Sequence, residues 1–182
     1  MSNIHGLISF LDGSPSPYHA VGSAAALLED AGFERAAESG DWDGVLRGYV
    51  VRGGALVAWS QPNTPAPIPR APFRIVGAHT DSPGLRVKPR PDTGSVGWRQ
   101  LAVEVYGGAL LNSWLDRDLG VAGVVVTSDG SGHLVAVHEA VARVPQLAIH
   151  LDRDVNERGL VLDKQQHLTP VWGVGAAAEG EF

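Results

Sequence analysis

His79 and Asp81, a histidine and an aspartate two residues apart, are the pair in this chain best suited to chemistry. The preceding run Phe73-Arg74-Ile75-Val76-Gly77-Ala78 has the β-branched and small residues of a buried strand. Side chains two apart on a strand share a face, so the spacing predicts that imidazole and carboxylate project together. Pro83-Gly84 ends the run and puts the pair at the strand's C-terminal end, where open α/β sheets collect ligands. An imidazole beside a carboxylate is a metal ligand with its orienting partner. The carboxylate accepts one ring N–H and strengthens the other nitrogen as a donor to the metal. Spacing alone does not separate this from a surface ion pair, because H-x-D is short enough to arise by chance.

Other chemistry-bearing residues have plainer readings. His19 sits three residues after Ser16 on a helical pattern and reads as a structural or surface histidine. For His150 and His167, the residues alone favour a satisfied core histidine over a ligand. Asp116 and Asp118 flank Arg117, a triplet that more often makes ion pairs fixing a turn or an interface than a metal site. Arg86, Lys88 and Arg90 alternate with Val87 and Pro89, which reads as a solvated basic strand face.

The elements that must position these residues follow from pattern. Ser16 is an N-cap with Pro17 at the first helical position. Ala20, Val21, Ala24, Leu27, Leu28 and Ala31 give one apolar helix face, and Gly32 closes it. Residues 48–52 and 55–59 predict a hairpin around Gly53-Gly54, and Gln61 to Pro72, with five prolines, predicts an exposed loop. Helix, hairpin, loop and buried strand read as the opening of an α/β domain. Gly94 to Gly97 looks like a junction. Beyond it come strand patterns at 101–106, 121–127, 133–138 and 147–151, with a turn at 128–132. The expectation is an α/β segment, residues 1–92, followed by a β-rich, sandwich- or barrel-like module, residues 93–182.

Composition narrows the class. The chain has 182 residues, enough for a real core, with 44% hydrophobic and 19% charged residues. No stretch of about 18 or more apolar residues predicts a membrane span. A net charge of −6 argues against nucleic-acid binding. Without cysteine there is no disulfide and no thiolate ligand, leaving His and carboxylates for any metal. The N-terminus lacks a basic start followed by an apolar run, which fits a cytoplasmic location.

Gly77 to Pro89, GAHTDSPGLRVKP, closely resembles the first metal-ligand segment of the aspartyl aminopeptidases, a family of binuclear zinc peptidases. Further ordered matches are Ser14 to Val21, Val105 to Gly108, Ser113 to Gly123 (SWLDRDLGVAG), Val144 to Arg153, and His167 to Val171. The resemblance implies a metalloaminopeptidase releasing N-terminal residues, preferentially Asp or Glu, from peptide substrates by metal-activated water. It implies His79 as a metal ligand and Asp81 as its catalytic orienting carboxylate. It also implies His167 as a substrate-binding residue reaching across a subunit interface, hence a homo-oligomer. The cofactor would be two zinc ions, with other divalent metals as alternatives, about 3.5–4 Å apart. The family's bridging aspartate, Glu-Glu pair, further carboxylate ligand and second histidine would lie beyond Phe182, since Glu179 and Glu181 do not occupy that context. The expected fold is therefore an incomplete zinc-peptidase α/β domain with a β-rich oligomerisation module. The 182 residues alone are expected to be inactive. The alternative is a non-catalytic oligomerisation or binding module derived from such an enzyme.

Overall fold

The computed structural model describes residues 3–62 and 72–182. Most of the expected proline-rich loop lies outside them. The architecture is mixed α/β, and it falls into two compact units, Met1–Ser82 with Ala122–Val135, and Pro83–Val121 with Ala136–Phe182.

In the first unit, helix α1 (Asn3–Asp12) leads through a short turn to α2 (Pro17–Asp30). Ser16 caps α2 with extended backbone, and its hydroxyl accepts the His19 N–H. At the other end Gly32 takes φ +78°. Its N–H reaches Glu29 O at 2.8 Å and Phe33 N–H reaches Leu28 O at 2.9 Å, a Schellman closure that satisfies the last carbonyls. Both ends of this helix are where the sequence puts them.

A three-stranded sheet follows, ordered β1 (Glu34–Arg35), β2 (Arg47–Arg52), β3 (Ala55–Ser60). β2 and β3 pair antiparallel from Arg47↔Ser60 to Arg52↔Ala55, turning on Gly53-Gly54 as expected. Ala20 and Val21 of α2 are buried, as is Tyr49 of β2, which is 1% exposed and gives its hydroxyl to Glu29. Gly48 carries no side chain for a steric reason. A Cβ there would run into the Trp59 ring and lie 2.8 Å from Val45 Cγ1. The space belongs to Trp59, which stacks on Trp42 at 5.0 Å and donates to Val45 O at 2.9 Å.

The strand expected over 73–78 does not form. These residues have no regular structure and are exposed, with Phe73, Ile75 and Val76 at 92%, 86% and 95%. A strand needs a neighbour for its backbone groups, and none of the described strands pairs with this one. The apolar run is a strand sequence without its sheet.

The second sheet has the order β4 (Gly84–Ser95), β5 (Trp98–Tyr106), β8 (Val171–Val174), β7 (Gly132–Arg143), β6 (Asp118–Val126). The stretch 94–97, expected as a junction, is the turn of the β4–β5 hairpin, where Ser95 faces Trp98. The sequence boundary near residue 93 thus falls within β4. Leu115, Val144 and Leu168 form the buried core here, ringed by Leu85, Val105, Trp114 and Leu119. The expected turn at 128–132 is present, with Asp129 accepting from the Thr127 hydroxyl and the Ser131 N–H. The strand expected over 147–151 is not: it is irregular backbone ending in an exposed turn, for the same lack of a pairing neighbour. A short helix α3 (Val155–Arg158) precedes the stretch that carries His167.

Candidate active site

His79 and Asp81 do come together. Nδ1 of His79 lies 2.8 Å from Oδ1 of Asp81. A carboxylate only accepts, so the ring gives it the Nδ1 proton and keeps a lone pair on Nε2. The imidazole side chain is 89% exposed and the carboxylate 32%. The segment is tethered by Thr80, whose hydroxyl donates to Gly54 O in the β2–β3 turn at 2.7 Å. The pairing expected from a strand is thus reached from irregular backbone, through a hydrogen bond spanning two residues.

The donor set fits one position of a metal site. Nε2 of an imidazole oriented by a carboxylate is suited to zinc. Among the described residues, no group of three or more His, Asp or Glu side chains converges to complete the coordination.

His19 turns its ring onto its own N-cap, with Nδ1 2.7 Å from the Ser16 hydroxyl, which is a structural role. His150 lies in the exposed turn after β7 rather than in a core. Asp118 pairs with Arg143, and Asp116 accepts the Gln146 N–H at 3.2 Å, so both carboxylates fix local geometry as their flanking of Arg117 suggests. Glu181 pairs with Arg99 at 3.4 Å.

His167 is exposed, and its Nδ1 accepts the Asp163 N–H at 2.9 Å. The N–H groups of Gln166 and Gln165 hold the Asp163 carboxyl below its ordinary value. Glu104 is also lowered, by hydrogen bonds from Lys88 and then Gln165. Sequence reasoning passed over Asp163. An aspartate opening a short polar run four residues before a histidine is the signal that could have found it. A groove of about 540 Å³ lined by Pro83, Leu110, Ser113, Trp114, Arg117 and Leu119 also went unread in the sequence.

A mixed α/β chain bearing a carboxylate-oriented imidazole offers one donor of the kind that metal sites use. Residues 10–181 match the family of the aminopeptidase I zinc metalloproteases (M18), and the chain belongs to that family. The probable M18 family aminopeptidase 2 of Streptomyces avermitilis is 64% identical over 170 residues, 93% of this chain and 39% of the relative. The probable M18 family aminopeptidase 2 of Mycobacterium tuberculosis is 48% identical over 179 residues, 96% of this chain and 40% of the relative. Among solved structures, a chain in the cryo-EM structure of the Ape4 and Nbr1 complex superposes with a TM-score of 0.81 at 34% identity, covering 91% of this chain and 33% of that one. This chain therefore spans about two-fifths of the length of these curated relatives. The resemblance read from GAHTDSPGLRVKP and the later motifs is borne out as family membership.

Proposed function

We propose that this chain carries the first metal-ligand segment and the assembly module of a zinc aminopeptidase that releases N-terminal residues, preferentially Asp or Glu, from peptides. The observation that carries the reading is the His79–Asp81 hydrogen bond of 2.8 Å in a member of a zinc metalloprotease family. His79 offers Nε2 as a metal ligand. Asp81 holds the Nδ1 proton, keeps the ring turned and raises its basicity. When bound, a pair of zinc ions supplies a water acidified towards a pKa of about 7 and polarises the scissile carbonyl. His167 offers its ring to the substrate held by a neighbouring copy.

The division of labour follows the order of the chain: residues 1–92 belong to the catalytic domain, residues 93–182 to a β-rich oligomerisation module. A homo-oligomer is supported by the extent of exposed apolar side chain, with Ile4, Leu7, Phe73, Ile75, Val76 and Leu151 all more than half exposed. A cytoplasmic setting fits this reading. The 182 residues alone are inactive on this account. The second reading is a non-catalytic oligomerisation or binding module derived from such an enzyme.

The test joins this chain to the remaining length of its Streptomyces avermitilis relative and measures zinc content and cleavage of an N-terminal aspartyl substrate. The aminopeptidase reading expects zinc-dependent turnover that His79→Ala abolishes. Full turnover in His79→Ala would defeat it, and a well-folded but inactive fusion would favour the assembly module.

A further inference from the structure

Arg117 is flanked by two aspartates and, among the described residues, pairs with neither. Asp118 is taken by Arg143, whose Nε donates to it at 3.1 Å. Asp116 accepts the Gln146 N–H at 3.2 Å. The backbone accounts for the split. Asp116 has φ +51°, in the left-handed region that residues other than glycine enter at a cost. It is held there by its own N–H, which reaches Val144 O at 2.8 Å. Among the described residues, the Arg117 guanidinium donates to the Ser113 carbonyl, at 3.4 Å. A guanidinium has five N–H donors, so most of its hydrogen-bonding capacity and its whole charge are left over.

That charge stands in the lining of the groove of about 540 Å³, and the lining lies wholly within the second unit. Gly107 takes φ +71° and packs so closely on Pro83 that a Cβ would meet it at 3.4 Å, which lays the chain after Gly107 beside Pro83. The Trp114 ring lies against Gly84, and Trp114 and Leu119 are both backed by the buried Leu115, Val144 and Leu168. A single 3₁₀ turn, Leu111–Trp114, is closed by Ser113, whose N–H and hydroxyl reach Leu110 O at 3.0 and 2.7 Å. Leu110 itself is 75% exposed, so the groove offers apolar surface open to solvent.

We propose that this groove is a binding site for an acidic peptide segment of a partner protein. The side-chain carboxylate of a Glu or Asp docks on Arg117, and an apolar neighbour leaves water against Leu110, Pro83 and Trp114. Charge complementarity selects this occupant. A planar guanidinium matches one carboxylate with two parallel hydrogen bonds. A phosphate or a nucleic acid would instead meet the Asp118 carboxylate in the same lining and a chain of net charge −6. The groove has the size of ordinary ligand pockets, room for about two or three residues. Being open, it suits a segment that runs on past it rather than a chain end held in a closed pocket. The site uses neither His79 nor a metal, so its occupancy is independent of the aminopeptidase reading.

The test is calorimetric titration of the 182-residue chain with the blocked peptide acetyl-Ala-Leu-Glu-Phe-Ala-amide, whose one charge is the glutamate. The comparison peptides replace Glu by Gln, with the C-terminus either amidated or free. Acetylation keeps all three from being aminopeptidase substrates. The Glu peptide is expected to bind with Kd below about 1 mM, shifting the Trp114 indole N–H signal in the NMR spectrum. The blocked Gln peptide binds about five- to tenfold more weakly. Arg117→Gln brings the two to the same affinity, and Leu110→Ser weakens both alike. Both positions are exposed, and thermal melts check that the fold is kept. No binding at about 1 mM, equal binding of the Glu and blocked Gln peptides, or a preference that survives Arg117→Gln would overturn the proposal. So would a free-acid Gln peptide that matched the Glu peptide, since the site would then read a chain end. Binding that disappears when the chain is joined to the remaining length of its Streptomyces avermitilis relative would overturn it too, because further chain then covers the groove. If Arg117→Gln loses its fold, the peptide comparison in the unsubstituted chain still decides. Failure of the aminopeptidase reading is seen separately, as a zinc-loaded fusion without turnover that still binds the Glu peptide.

Discussion

At the scale of single residues, the i, i+2 spacing of His79 and Asp81 made their pairing legible before any fold was known. It stayed legible although the strand that motivated it is absent. The hydrogen bond needs only two residues of backbone to bring Nδ1 within 2.8 Å of Oδ1, and more than one backbone conformation provides that. The unpaired charge of Arg117 was not legible, because it depends on the left-handed backbone at Asp116, and composition does not specify a turn's closure. The carboxylate's part makes a prediction that separates orienting from ligating. In the fusion that completes the enzyme, Asp81→Asn leaves His79 in place but exchanges an anionic acceptor for a neutral amide. Zinc affinity should fall about 10- to 100-fold while the fold is unchanged. Competition for zinc with a chelator of known affinity, alongside a thermal melt, reads both. Unaltered affinity would remove Asp81 from the site.

At the scale of elements, legibility followed locality. Helix α2 is specified by its own ends, Ser16 at one and Gly32 at the other, and the β2–β3 hairpin by Gly53-Gly54 between two strand-like runs. Residues 73–78 and 147–151 have strand composition but no pairing neighbour among the described strands, so propensity had nothing to act on. Two substitutions measure what the local devices contribute. Ser16→Ala removes the acceptor for the His19 N–H and the partner of its ring, and should cost about 1 kcal/mol. Gly48→Ala drives a methyl against the Trp59 indole and Val45, and should cost about 1–3 kcal/mol. Urea titration followed by tryptophan fluorescence reads both, with Trp59 itself reporting on the second. If Gly48→Ala were neutral, the indole would have room that the packing denies it.

At the scale of the molecule, charge and exposed apolar surface decide behaviour. Asp129, Asp163 and Glu104 are all held below their ordinary values of 3.8, 3.8 and 4.5 by hydrogen bonds. Their folded forms bind protons less readily than their unfolded forms, so their contribution is complete above those ordinary values. It is lost as pH falls through the lower folded values. Melting temperature should therefore hold level down to about pH 5 and decline below about 4.5. Asp163→Asn, which cannot ionise, should flatten part of that decline.

Exposed apolar surface gives the last prediction. Phe73, Ile75 and Val76 lie consecutively or nearly so and are 92%, 86% and 95% exposed, and α1 presents Ile4, Leu7, Ile8 and Leu11 at helical spacing, all exposed. Side chains of this size prefer to leave water by about 1.5–3 kcal/mol each when fully covered, so a few of them suffice to drive association at micromolar concentration. Backbone groups of 73–78 that pair with no described strand add a template for strand addition. Sedimentation velocity of the 182-residue chain should show concentration-dependent association, and Ile75→Asp with Val76→Asp should weaken it at least tenfold. Those two positions lie in the stretch proposed to belong to the catalytic domain, so their effect separates two kinds of assembly. Association that the double substitution abolishes comes from a strand seeking its sheet. Association that survives it belongs to the β-rich module, and would be the homo-oligomer on which a shared role for His167 depends.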